Sequence, residues 1–192
     1  MNTPAHLIFG LTVFGKAGRP AVTAVVLIGA LIPDLSLYLL AGVHLLLLGT
    51  SPDIVFGQLY YSASWQSIFR IDNSIVIWGI ALALAALYRS PLAIAFCGAA
   101  LLHLGFDFLL HNDDARTHFW PLSNWVFQSP VSYWDPDHYG NIAGSLEVAL
   151  SLICCGILWQ RYSGRWMRAL ILVLGASEFA PFVLFAIMFT GP

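Results

Sequence analysis

Three residues able to bind a metal or move a proton stand in one run, His103-Leu-Gly-Phe-Asp107-Phe-Leu-Leu-His111. On an α-helix, positions i, i+4 and i+8 drift by about 40° per step, so the three side chains share one face over about 12 Å. Imidazole and carboxylate groups at that spacing suit Zn²⁺ or a similar divalent ion. The alternative is a buried His–Asp hydrogen bond, with His111 merely at an interface. His6 and Asp34 are further candidate ligands from other parts of the chain. The stretch after His111 carries His111-Asn-Asp113-Asp114-Ala-Arg116-Thr-His118 and Trp134-Asp135-Pro-Asp137-His138. His111, His118 and His138 are candidate bases or extra ligands there, and Arg116 could meet a phosphate. The competing reading is that an exposed loop is polar in any case.

The elements that must position these groups are helices in lipid. The chain has 192 residues, 59% of them hydrophobic and only 9% charged. A soluble domain needs about 25% charged residues to solvate its surface, so lipid has to be the solvent here. One integral membrane domain over residues 1–192 is expected, an all-α polytopic bundle of six to seven helices. The net charge of −2 supplies no basic face for nucleic acid. Cys97, Cys154 and Cys155 all sit in apolar runs, form no CxxC knuckle and read as packing residues. The N-terminus lacks a basic signal-peptide region and is expected to stay as the first helix.

Pro and Gly punctuate the apolar runs. Helices are expected at about 4–15, from 20 onward, and at about 74–88, 91–111, 141–161 and 166–190. A straight helix from Pro20 to Leu48 would be about 44 Å long, against a hydrocarbon core of about 30 Å. Pro33 is therefore expected to kink or break it. Residues 52–70 form either another span or a helix in the interface, and 112–140 a polar, aromatic outer loop. Its aromatic residues read first as an interfacial belt.

Lys16, Arg19, Arg89, Arg161, Arg165 and Arg168 fall in three short connections, which the positive-inside rule assigns to the cytoplasm. Counted from those ends at 1.5 Å per residue, His6, Asp34, Asn73, His103, Asp107, Glu147 and Glu178 all lie roughly 15–24 Å up. An unpartnered ionisable group at such depth costs about 2.5–3.5 kcal/mol, so convergence into one polar layer is the cheapest arrangement. Glu147 could face the cluster, Glu178 could be a structural partner, and His44 reads as a core or interface histidine. There is no GxSxG, HExxH or Gly-rich phosphate loop. Serine-hydrolase, zincin and nucleotide-driven mechanisms lose their motifs.

Thr3-Pro4-Ala5-His6 on a first helix, Gly29-Ala30-Leu31-Ile32-Pro33-Asp34 ending the second, and His103-x3-Asp107 followed by Trp120-Pro121 resemble the membrane-bound metal-dependent hydrolases. This is the LexA-regulated inner-membrane type, sometimes linked to zinc phospholipase C, and the resemblance covers most of residues 1–125. It implies a multi-helix bundle with a divalent metal on His6, Asp34, His103 and Asp107, and His118 as a further ligand. Two positions depart from the family pattern. Asp72-Asn73-Ser74 replaces a Thr-His-Ser signature, and Ser36 stands where a second acid or His is usual. Asn is a poor Zn²⁺ ligand, which leaves one metal, a different metal or a lost activity open.

The expectation is a membrane-embedded hydrolase of a lipid or lipid-linked (phospho)ester, working toward the non-cytoplasmic side of a bacterial inner membrane. Its cofactor would be Zn²⁺, with Mn²⁺ or Mg²⁺ as alternatives, and its surroundings membrane lipid with membrane-protein partners possible. Two rivals stand beside it: a non-catalytic subunit or assembly factor of a membrane complex, and a small transporter.

Overall fold

Proline and serine set the helix starts. Pro4, Pro20 and Pro91 lie in first turns, where the missing N–H has no intrahelical partner to lose. Ser62, Ser74 and Ser90 accept hydrogen bonds from the backbone N–H of Trp65, Ile77 and Ala93 and so cap the helices that follow them. The resulting computed structural model describes residues 1–180. Its helices are α1 Thr3–Phe14, α2 Pro20–Gly42, α3 Ala63–Asp72, α4 Ile75–Leu87, α5 Pro91–Leu110, α6 Gly140–Arg161 and α7 Arg165–Ser177. No strand occurs among the described residues. The far end of the helix expected over 166–190 lies outside them.

Among the described residues, four stretches are long and apolar enough to cross a membrane: Pro20–Leu47, Ala63–Leu87, Pro91–Leu110 and Gly140–Arg161. The first corrects the expected break at Pro33, because α2 runs through that residue and only widens into π-type turns at Val43–Leu47. Pro33 offers no N–H to the carbonyl four residues back, yet other helices supply donors beside it. His103 Nδ1 donates to the Ala30 carbonyl at 2.7 Å, and Asn73 Nδ2 donates to the Pro33 carbonyl at 3.1 Å. The carbonyl that loses its partner to Pro33 is that of Gly29, and α2 nonetheless continues as helix to Gly42.

Small residues let α1, α2 and α5 approach closely, as packing in lipid requires. A Cβ on Gly10 would sit 3.1 Å from the Ala30 methyl, and one on Gly29 would overlap the Phe96 carbonyl. Ala5, Ile8, Leu11, Val26, Ala99 and Leu158 fill the core around that seam. At one end of the bundle, Arg161 Nη1 donates to the Leu11, Thr12 and Gly15 carbonyls at 3.2, 2.8 and 3.3 Å. The guanidinium thus meets the last orphan carbonyls of α1. The same contact puts the C-terminal ends of α1 and α6 together, so their N-terminal ends meet at the opposite end. A smaller cluster of Ala41, Val55, Tyr60, Trp65 and Phe69 ties the 43–62 connection to α3. His44 belongs there, 5.5 Å from the Trp65 ring and 3.2 Å from Thr50 Oγ1.

Residues 112–139 form an ordered cover fixed to the C-terminal end of α5 and the start of α4. Ser129 Oγ donates to the Leu109 carbonyl, Asn112 Nδ2 to the Ser129 carbonyl, and the Tyr133 backbone N–H to the Leu110 carbonyl. Phe108 stacks on Phe127 beneath it, while Trp125, Trp134 and Tyr139 stay exposed on its surface.

Candidate functional site

Because α1 runs antiparallel to α2 and α5, His6 near its start meets His103 of α5, which in turn faces Asp34 of α2. The His6 and His103 rings stack at 3.4 Å and 4°. Asp107, one turn after His103, puts Oδ1 2.9 Å from His6 Nε2 and Oδ2 2.9 Å from His103 Nε2. All three residues are buried. Asp34 Oδ1 lies 3.7 Å from His103 Nε2. Asp34 Oδ2 accepts a hydrogen bond from Thr3 Oγ1, which in turn lies 2.6 Å from the Tyr38 hydroxyl.

Protons decide what this group can hold. A carbonyl oxygen only accepts, so the bond to Ala30 places the His103 proton on Nδ1 and leaves Nε2 as a lone pair. That lone pair faces a carboxylate oxygen. His103 Nε2 and both His6 ring nitrogens have no hydrogen-bond partner, because the 2.9 Å contacts miss hydrogen-bond geometry. Lone pairs this close to a carboxylate repel one another unless the rings are protonated or a cation lies among them. The donor atoms of His6, His103 and Asp107 all lie within 4.8 Å of one another, and the group could hold a metal ion. The donor set and its orphaned nitrogens fit one.

His111 extends the cluster outward. Its Nε2 is 3.2 Å from Asp107 Oδ1, and its Nδ1 is 2.8 Å from Asp114 Oδ2. Burial pushes the Asp114 carboxyl up, but the partnership with His111 outweighs that and holds it below the ordinary carboxylate value. The Met1 amine lies 3.1 Å from Asp107 Oδ1 and 3.0 Å from His111 Nε2. These groups open into a cavity of about 360 Å³, also lined by Asp34, Asn73, Tyr60, Arg116 and Tyr133.

The other candidates are placed differently. His118 is buried, donates from Nδ1 to the Asn73 carbonyl at 2.9 Å and packs edge-on to Phe108. Burial lowers its pKa from the ordinary histidine value. It stands behind Asn73 and is not part of the cavity wall. Asn73 donates to the Pro33 carbonyl and accepts from His118, and so bridges α2 to the 112–139 cover. His138 pairs with Asp135 Oδ2 at 2.7 Å within that cover and does not reach the cavity. Glu147 accepts from the Asn2 backbone N–H at 3.0 Å, beside the site, and Glu178 is buried next to Ser151. Ser36 stands beside the Asp72 carboxylate.

Thr3 and Tyr38 escape a reading based on ligand types alone. The i, i+4 spacing of Asp34 and Tyr38 on α2 is the signal that points to the second. Comparison with protein-family models, with curated proteins and with solved structures yields no match to this chain.

Proposed function

We propose that the chain is a membrane-embedded, metal-dependent hydrolase acting on a lipid or lipid-linked phosphoester. The observation that carries this reading is the buried His6–His103–Asp107 group, with nitrogens left unpartnered beside a carboxylate and a polar cavity next to it. Two imidazoles and one carboxylate favour Zn²⁺ over Mg²⁺. Bound there, the metal would polarise the scissile group and make water more acidic. Asp34 stands at the rim, held by Thr3, as a further ligand or a partner for the substrate. His111, between Asp107 and Asp114, accepts the proton of entering water at Nε2, while Asp114 orients the ring.

An apolar cavity of about 490 Å³ supports a lipid as the substrate. Phe9, Phe106, Leu110, Ile142 and Leu146 line it between α1, α5 and α6, and Met1 borders both it and the polar cavity. A headgroup in the polar space and an acyl chain in the apolar one describe an amphiphile. In this reading the basic short connections face the cytoplasm, and this end of the bundle would lie on the non-cytoplasmic side of a bacterial inner membrane.

The test is phosphate release from a short-chain phosphatidic acid in mixed micelles, by protein loaded with Zn²⁺ after chelator treatment. Turnover that needs the metal and falls by roughly a hundredfold or more in Asp107→Asn is expected. Equal turnover in the variant, or none from metal-loaded wild type across a panel of lipid phosphates, would end the reading.

A further inference from the structure

Arg116 is the one cation of the polar cavity that no described residue neutralises. It is 93% buried, at 7% exposure, and its guanidinium lies 4.6 Å over the Tyr60 ring and 4.1 Å over the Phe69 ring. Aromatic rings attract the charge but accept no in-plane hydrogen bond, so the N–H donors of the guanidinium need another acceptor. Nη1 is buried with no acceptor, and no described carboxylate lies within ion-pair distance, although Asp114 is two residues away and Asp72 is close enough to feel the charge. Leaving a buried charged donor unmet is among the more costly arrangements in a protein. The surrounding structure nevertheless fixes it: Tyr60 is anchored by its hydroxyl donating to the Asp114 carbonyl at 2.9 Å, and Phe69 is a fully buried residue of α3. A side chain packed in this way, with Nη1 left without an acceptor among the described residues, is placed to receive a planar or tetrahedral oxyanion.

We propose that Arg116 is the anion-binding residue of this cavity and that it selects a phosphoryl group over a neutral ester. Asn73 lines the same cavity, and Asp107 of the His6–His103–Asp107 group reaches its wall from α5. The inference rests on the hydrolase reading for its meaning as substrate selection, while the anion site itself rests on Arg116 alone. A fork of N–H donors grips two phosphoryl oxygens at once, whereas a neutral carbonyl would leave the charge unbalanced.

The experiment uses the full chain in lipid nanodiscs, titrated with inorganic phosphate by calorimetry, with metal content measured on the same samples. Wild type is expected to bind phosphate saturably. Arg116→Lys should weaken binding by roughly tenfold and Arg116→Gln by more, with metal content unchanged. Lysine keeps the charge and the stem, so it serves where the Gln variant fails to fold. Wild type that holds metal but does not bind phosphate overturns the inference and leaves the hydrolase reading standing. So does equal binding by wild type and both variants. Arg116-dependent phosphate binding by a protein that takes up no metal supports the anion site and removes the hydrolase reading.

Discussion

Replacing Gly29 by Ala tests how helix packing positions the site. The added methyl overlaps the Phe96 carbonyl and stands 3.0 and 3.1 Å from the Phe96 carbonyl carbon and Cα. Carbon atoms settle at about 3.5–4.0 Å, so α2 and α5 must part locally by roughly 0.5–1 Å. The next residue, Ala30, takes the His103 Nδ1–H at 2.7 Å. A shift of that size lengthens the bond to about 3.2–3.7 Å, at or past the limit of a useful hydrogen bond. Overpacking of this kind costs about 1–3 kcal/mol of stability. Loss of the bond that orients a ligating His weakens metal affinity by roughly 10–100-fold. The assay is Zn²⁺ competition against a chromophoric chelator in detergent, with thermal unfolding alongside. Gly105→Ala, where nothing lies within 4 Å of the added methyl, is the control. It should keep wild-type affinity and change stability by no more than about 1 kcal/mol. Wild-type affinity and stability in Gly29→Ala would refute the account of how α2 positions His103.

Three further outcomes are expected. Arg161→Ala removes the donor that meets three α1 carbonyls and should lower stability by about 2 kcal/mol, read by denaturant unfolding in micelles. His118 is held neutral by burial, so the folded protein binds fewer protons than the unfolded chain once pH falls below the ordinary histidine value of about 6.5. Stability should therefore decline as pH drops from there toward the lowered folded value, and His118→Gln should flatten that decline in unfolding midpoints taken from pH 7 to pH 5. His138→Ala should leave metal content and turnover within about twofold of wild type, because its ring is engaged by Asp135 outside the cavity. A larger loss would put His138 back among the working residues.

Much of the architecture is legible from punctuation and spacing. Pro20, Pro91 and the Gly/Arg connections mark helix ends within a residue or two, since a missing N–H or a basic break is a local property. The four-residue spacing of His103, Asp107 and His111 likewise survives folding, because all three ride on α5 or its first residue beyond. His6 joins them through a depth argument that needs only helix rise. Pro33 is a different case: the helix runs on through it, and the donors that reach the neighbouring Ala30 and Pro33 carbonyls come from His103 and Asn73, far away in the chain, which no local rule reports. The same holds for Arg116, which reads as one charge in a polar loop until Tyr60 and Phe69 bury it. It holds again for His118 and His138, equal in the sequence and separated only by how the 112–139 cover folds.

The central claim is that side chains from α1 and α5 together hold one cation. Metal content of chelator-treated, Zn²⁺-reloaded and desalted protein measures it directly, in wild type and in His6→Ala/His103→Ala. About one tightly held ion per wild-type chain and almost none in the double variant is the expected result. The same trace content in both proteins would contradict it.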